Sequence, residues 1–593
     1  MTRHRIISDS NPRIPAPVEN IQVNFCKNPQ CANFGVPASM ERQPHGRESD
    51  ERGRDFYTIG TAHRVKVPAL ICSYCGQTPP IKSNLGIYEE LSRFNQYLLP
   101  AAIPSCPSES CSNHAVPMNT PGAYQHFGKT KSGNRRMRCK ECGRAFSLGS
   151  ATLKQKKPHK NATVFRLLMN KVPFKRICDV ASISMPTLYD KIQFLHRQCL
   201  AFVSDRERAL PEKYFRRLYI AVDRQDYIVN WTDASDKRNV QLHTVGSADN
   251  TTGYVFGLHL NFDPSLQPTE IEKQAISTGE YLVTKPFRRY ARLWLKDDYE
   301  QAVAQNQQRE RPILPGTALE TEVQARYAEA SSRSDIESLD RVDENVRFPL
   351  KGGVQVHAEY TLYGHFFFLR KLFENVEKVR FFLDQDSGMR AACLSAFVDR
   401  IREDRCDTFY VSINADLTID EKRQLVGDNK HRMAALKAVH PGFSENQIKL
   451  KIIKEKMGRA KSIGRWQDRW VRHPFPNMGE PEKAVCYLTD IHGYDEDHVA
   501  WLYNKASLHG IDRFFMQVRR RLSLLERPIS SASSAGRKWH GYNPYRPVMI
   551  GKVLDIFRVF YNYVEAGKDG QTPAMRLGLA KGKVDVEDVI YHQ

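Results

Sequence analysis

The spacing of apolar positions divides the chain into a cysteine-punctuated front, a short helical stretch and a long mixed region. Residues 21–150 hold too few periodic apolar positions for a core of their own. Helical spacing then sets in: Ala162 to Asn170 predicts one helix and Phe174 to Ala181 a second. The turn Ser182-Ile-Ser184 leads into Met185 to Leu195, where Pro186 suits a first helical turn. Leu188, Ile192 and Leu195 share the buried face of this third helix, leaving Thr187, Tyr189, Asp190, Lys191 and Gln193 exposed. From about residue 213 the period is that of strands. Leu218 to Val222 is an apolar run ending at Asp223, and Val240 to Val245 and Gly253 to Asn261 form a hairpin around the turn-rich Asp249 to Gly253. Residues 264–350 interrupt the pattern, mostly polar and acidic over 319–345. It resumes with a helix from Tyr360 to Phe373, a strand from Val379 to Leu383 before Asp384, a helix from Met389 to Ile401 and a strand from Thr408 to Ile413. A second interruption, 416–480, precedes a strand at Ala484 to Leu488, helical residues 496–525 and a closing helix from Val548 to Tyr563. Three strands followed by helix, strand, helix and strand predict a mixed α/β sheet with helices on both faces.

The front is organised by a repeated four-cysteine pattern. Cys26-x4-Cys31 with Cys72-x2-Cys75 is followed by Cys106-x4-Cys111 with Cys139-x2-Cys142. Cys31-Ala-Asn-Phe-Gly-Val-Pro recurs as Cys111-Ser-Asn-His-Ala-Val-Pro, and Cys75-Gly as Cys142-Gly, so the module is duplicated. Paired thiolates on two short knuckles are what a tetrahedral zinc ion needs, and the metal can fold a segment that lacks a core. The expected domains are a disordered lead-in at 1–20, zinc ribbons at 21–95 and 96–150, and a small all-α helix-turn-helix at 151–205. An α/β domain at 206–565 and a tail at 566–593 complete the chain. Cys178, Cys199, Cys393, Cys406 and Cys486 read as small buried hydrophobes.

With 88 basic and 67 acidic residues the chain has a net charge of +21, which favours a polyanionic partner. No segment reaches the length of a membrane helix and the N-terminus lacks a signal-peptide core, so an intracellular location is expected, where a disulfide framework is not. The second ribbon carries Lys129, Lys131, Arg135, Arg136, Arg138, Lys140 and Arg144, placed for phosphate, while the first ribbon reads as structural or protein-facing. The helix-turn-helix would dock in DNA through Thr187, Tyr189 and Lys191. Within 416–480, Lys449, Lys451, Lys454, Lys456, Arg459, Lys461, Arg465, Arg469 and Arg472, interspersed with Trp466 and Trp470, form a second candidate nucleic-acid surface.

Phosphodiester chemistry on two magnesium ions about 3.5–4 Å apart needs carboxylates that converge from distant positions. Asp223 and Asp384 each end a predicted buried strand and would meet if the strands are neighbours; Asp226 and Asp386 are the near alternatives. The third acid is Asp512 or Glu526, at opposite ends of an amphipathic helix with Ile511, Phe514, Phe515, Val518, Leu522 and Leu525 on one face. Asp512 is preferred, because Arg519 lies two turns along the same side, placed for a phosphate.

These residues resemble the DDE transposases of bacterial insertion sequences that carry zinc ribbons and a helix-turn-helix ahead of an RNase H-like domain. The similar stretches are Ala221-Val-Asp223, Phe382-Leu-Asp384, His509-Gly-Ile-Asp512-Arg-Phe-Phe with Arg519 to Arg521, and Phe560-Tyr-Asn-Tyr563 with Thr572-Pro-Ala. The family's third acid is usually Glu, one methylene longer than Asp512, and the two insertions have no counterpart in its minimal members. The resemblance implies an RNase H-like sheet and magnesium, or manganese, held by Asp223, Asp384 and Asp512. It implies cleavage of element ends, strand transfer into target DNA, a double-stranded DNA partner, at least a dimer on DNA, and a bacterial cytoplasmic, nucleoid-associated location. A non-cutting DNA-binding regulator and a nuclease that stops at hydrolysis remain the competing readings.

Overall fold

The computed structural model describes residues 12–41, 56–62, 67–99, 104–118, 120–130, 135–148, 152, 155–230, 239–307, 319–332, 352–386, 388–414, 417–464, 466–526, 529–530, 538–539 and 546–592. Residues 1–11 of the lead-in, Lys131, Arg465 and residues 308–318 and 333–350 of the first insertion lie outside the described residues. The chain forms two compact units, each built from separated segments. One comprises Met1–Phe94, Pro211–Arg520 and Leu524–Gly551; the other comprises Asn95–Leu210, Arg521–Ser523 and Lys552–Gln593. Among the described residues no helix is long and apolar enough to cross a membrane.

In the smaller unit the second ribbon is a three-stranded sheet of Tyr124–Lys129, Arg135–Cys139 and Ala145–Ser147. Three helices follow: α1 (Asn161–Leu168), α2 (Phe174–Ala181) and α3 (Met185–Glu207). The turn between α2 and α3 depends on Ser182 in the left-handed region, φ 53°, and on Ser184, whose side chain caps α3 by accepting from the Thr187 amide. Leu188, Ile192 and Leu195 are buried as the spacing predicts. Lys191 is not on the exposed face: it is 2% exposed and donates to the carbonyls of Lys156 and Lys157 and to Asn161 Oδ1 at 2.7–3.1 Å. A lysine stem packs like an apolar side chain once its ammonium finds acceptors. The closing helix, Pro547–Val559, was grouped by sequence order with the α/β domain, yet from Lys552 onward it clusters with α1–α3. Arg558 pairs with Glu207 at 2.6 Å, with side chains 4% and 0% exposed, and Phe202 meets Tyr563 edge-on at 5.1 Å. Phe560–Val564, the stretch with the tail motif, is one fully buried π-turn.

The larger unit is organised by eight strands: β1 (Phe215–Asn230), β2 (Asn239–Asp249), β3 (Val255–Leu260), β4 (Val376–Asp384), β5 (Cys406–Ile413), β6 (Lys461–Ile463), β7 (Asp468–Arg472) and β8 (Lys483–Tyr487). They form one mixed sheet in the order β6-β7-β8-β5-β4-β1-β2-β3, parallel between β1 and β4 and between β4 and β5, antiparallel elsewhere. Nearly every residue of β4 and β5 is buried, as for strands covered on both faces. The helices that bear on the sheet's centre include α4 (Leu319–Ser332) in the first insertion, α5 (Ala358–Leu372), α6 (Met389–Ala396) and α7 (Val398–Arg402). After them come α8 (Ile419–Val439) and α9 (Glu445–Gly458) in the second insertion, then α10 (Glu496–Lys505) and α11 (His509–Arg521).

Three boundaries differ from the sequence-based expectation. β1 does not stop at Asp223 but pairs with β2 through Asn230, because the antiparallel partner satisfies backbone groups that the apolar run alone would not. The second interruption is partly sheet, since β6 and β7 extend the β5 and β8 edge and bury Trp470, 3% exposed, instead of offering it to a nucleic acid. α11 ends at Arg521, leaving Glu526 exposed beyond it. The first ribbon belongs to this unit. Lys27 donates to Ser395 of α6 at 2.6 Å, Arg402 of α7 to the Phe34 carbonyl, and the Ser83 amide to the Tyr360 hydroxyl at 3.2 Å.

Candidate functional site

Two thiol quartets and one group of buried carboxylates are the candidate sites. In the first quartet Cys26 Sγ lies 3.4 Å from Cys75 Sγ and Cys31 Sγ 3.7 Å from Cys72 Sγ; in the second, Cys106 and Cys142 are 3.5 Å apart and Cys111 and Cys139 3.8 Å. All donor atoms within each quartet lie within 4.8 Å of one another. A tetrahedron with zinc–sulfur bonds of about 2.3 Å has edges of about 3.8 Å, so both quartets fit a zinc ion. All thirteen cysteines are free thiols.

The duplication extends beyond the sulfurs. Asn33 Nδ2 donates to Cys72 Sγ and Asn113 Nδ2 to Cys139 Sγ, both at 3.4 Å. Tyr57 accepts from the Cys26 amide and donates to the Asn33 and Val36 carbonyls; Tyr124 does the same with Cys106, Asn113 and Val116. Each tyrosine stands fifteen residues before the third cysteine of its quartet, and each asparagine two after the second, a repeat that the sequence displays but that cysteine spacing alone overlooks. Gly76 and Gly143, both at φ 70°, close the knuckles in a conformation that side chains disfavour. Burial would raise the Cys72 thiol, but the Cys75 and Tyr74 amides and Asn33 outweigh it and bring it down to about 7; the matching Cys142 and Glu141 amides and Asn113 take Cys139 to about 6. Thiolates are the form that holds a metal.

Around the second quartet Lys129, Arg135, Arg138, Lys140 and Arg144 are exposed and Arg136 half-buried. None of the six is ion-paired with a carboxylate among the described residues. Arg136 and Arg138 flank the exposed Phe127 ring at 5.0 and 5.5 Å. On α3, Tyr189 is 41% exposed and Thr187 half-buried, its hydroxyl 2.9 Å from that of Ser184.

The carboxylates gather around two central strands of the large sheet, β1 and β4. β4 runs beside β1 in parallel with Leu383 opposite Val222, so the next residues, Asp384 and Asp223, occupy neighbouring positions. Across the antiparallel pair Asp223 faces Gly246 of β2. A Cβ at Gly246 would lie 2.8 Å from Ile511 and 2.9 Å from Phe515, so this glycine is what lets α11 lie directly on the strand. The start of α11 is fixed by Asn250, which accepts from the Gly510 amide at 2.9 Å and donates to the Ser507 carbonyl at 2.7 Å. Glu480 accepts from the Leu508 amide at 2.8 Å and pairs with Lys483. Asp512, one turn in, thereby joins the cluster.

The three acids act on one another. Burial raises the Asp223 carboxyl well above the usual range, with the Asp384 and Asp512 charges adding to it. Asp512 is pushed up to about 7 by burial, then by Glu480 and Asp384, with Arg519 opposing. Burial also raises Asp384, countered by Arg326. Such crowding of buried like charges favours a cation between them. Among the described residues, however, the thiol quartets are the groups of three or more ligating side chains gathered within 4.8 Å; the carboxylates are less tightly drawn in. A cation already stands beside them, since Arg326 of α4 reaches Asp384 at 3.3 Å and Glu322 at 3.0 Å. That helix is held by Gln385, which donates to the Val323 carbonyl, and by Tyr327, which bonds Asp468 at 2.6 Å. No signal in the sequence pointed to Arg326, Gly246, Asn250 or Glu480.

The alternative acids have their own partners. Burial would raise Asp226, but His243 at 2.7 Å, Arg224 and Gln241 hold it far below the usual range. Asp386 pairs with Arg224 at 3.0 Å. Glu526 is not among the charges that act on Asp512. No family model matches the chain, and no curated protein or solved structure matches it.

Proposed function

We propose that this protein is a metal-dependent DNA transposase of the DDE type, with Asp223, Asp384 and Asp512 as its acids. The observation that carries the reading is the parallel β1–β4 pairing, which sets Asp223 beside Asp384, together with α11, which brings Asp512 into their electrostatic reach. The strand order β3-β2-β1-β4-β5, with β1 to β3 antiparallel and β4 and β5 parallel to β1, supports an RNase H-like assignment for this part of the sheet. The three carboxylates would hold magnesium, which supplies an activated water and stabilises an in-line displacement at phosphorus. Arg519 is suited to orient a phosphate beside Asp512, and the Gly246 contact to keep Asp512 facing Asp223. The ribbons and the helix-turn-helix would recognise the element ends, since the acids themselves read no sequence. Holding two ends together calls for at least a dimer on DNA. The second reading, a DNA binder that does not cut, draws on the Arg326 to Asp384 contact.

The test is incubation of the protein with magnesium and flanking DNA, scored for cleaved ends and joined products. Asp384→Asn should abolish both while leaving DNA binding intact. Cleavage without joining would leave a nuclease, and binding without either would leave the regulator.

A further inference from the structure

α8 is anomalous for a helix of 21 residues, because none of them is buried. A helix that gives no face to a core owes its place to something else. Together with α9 it walls a cleft of about 600 Å³, closed on the other side by Phe475 and by Asn504 and Lys505 at the end of α10. The cleft reaches His509, the first residue of α11, one turn from Asp512. Lys430 from α8, Lys449 from α9 and Lys505 line it from three separate elements. Its acids are already occupied, Glu480 by Lys483 at 2.8 Å and Glu445 by Lys449. Two further clefts of about 310 Å³ open on the same helix pair, and both are lined by Arg432 and Lys456. Across 417–483 there are 15 basic and 8 acidic residues, a surplus of 7 from about a ninth of the chain against 21 for the whole. Among the described residues Lys430, Lys451, Lys456, Arg459 and Lys505 have no carboxylate partner.

We propose that this cleft is a DNA-backbone site which leads a strand to the acid cluster, the lysines taking its phosphates. The proposal rests on the transposase reading and adds to it a contact surface within the catalytic unit, separate from the ribbon and the helix-turn-helix. Charge complementarity selects a polyanion, and the cleft's end at α11 selects the strand being processed over a distant segment. Lys430 and Lys505 are exposed, so their replacement leaves the core untouched, whereas Lys449 is half-buried against Glu445 and Phe475.

The experiment measures the affinity of the full chain for a short labelled duplex of mixed sequence over a range of salt concentrations. Replacing Lys430 and Lys505, the lining lysines without a carboxylate partner, together with alanine should lower the slope of log affinity against log salt by about 1.8, or about 0.9 for each phosphate no longer neutralised. The same two positions changed to arginine should retain the slope. An alanine variant with the parent's slope, or an arginine variant that loses it, would overturn the cleft as a DNA site. If the parent chain itself shows no salt-dependent DNA binding, it is the transposase reading that fails.

Discussion

At Asp384 a guanidinium and a divalent cation would compete for one carboxylate. Arg326→Ala should therefore tighten manganese binding, by about fivefold if the partly exposed pair is worth about 1 kcal/mol, and Arg326→Lys should do so less; titration calorimetry on the metal alone reads this without any assay of cutting. Unchanged affinity would mean that Arg326 stands clear of the metal's place. The contact links residues 58 apart in sequence through an insertion, so no local pattern could have announced it. A different residue contributes to acid sensitivity. His365, fully buried, is held neutral, its pKa lowered to about 3 by burial, with His259 Nδ1 at 2.9 Å. The unfolded chain takes up that proton near pH 6.5 and the folded one does not. Stability should thus fall as pH drops from about 6.5 toward 3, by up to about 1.4 kcal/mol per pH unit from this group, and denaturant melts of His365→Phe should show a shallower decline. Lys191 shows the limit of reading faces from spacing: the helical wheel gives the direction of its stem, while the acceptors that bury its ammonium come from thirty residues upstream. The asparagine and tyrosine partners of the two quartets, by contrast, were open to view as a repeat.

At the level of elements, the approach of α11 to β2 depends on the absence of one side chain. Gly246→Val should push Ile511 and Phe515 outward and destabilise the unit by about 1–3 kcal/mol, measured by urea unfolding, with metal affinity falling as Asp512 moves. Gly246→Ala, which adds one methyl where valine adds three carbons, should cost less. A mild valine variant with full metal affinity would detach Asp512's position from this contact. The strands and helices of the large sheet were legible because their apolar runs are long and their turns rich in glycine and asparagine. What was not legible was pairing: β1 looked five residues long because its second half alternates Arg224, Gln225 and Asp226, and only β2 shows it to be a strand. In the same way β6 and β7, short and charged, read as insertion until the edge they extend was known.

At the level of the whole molecule, the repeated ribbons have parted company: the first packs on α6 and α7, and the second groups with α1–α3. Replacing Arg135, Arg136 and Arg138 with alanine should lower the salt slope of DNA binding by about 2.7, and a variant with the parent's slope would remove the second ribbon from the DNA interface. If the ribbon and the cleft bind independently, combining the ribbon variant with the cleft variant should lower the slope by the sum of both. The cysteine quartets, the three helices after them and the mixed sheet were readable from their motifs; the return of Lys552–Gln593 to the helical unit was not, because the buried Glu207 and Arg558 that fix it are 351 residues apart. That return sets an order of maturation. During synthesis the second ribbon and α1–α3 emerge before the large sheet, yet they lack Arg558, Tyr563 and the buried π-turn until the final stretch leaves the ribosome. The helical unit is thus completed last, after the acids have been placed, and a chain interrupted before Lys552 would carry the second ribbon and the cleft beside an unfinished helical unit.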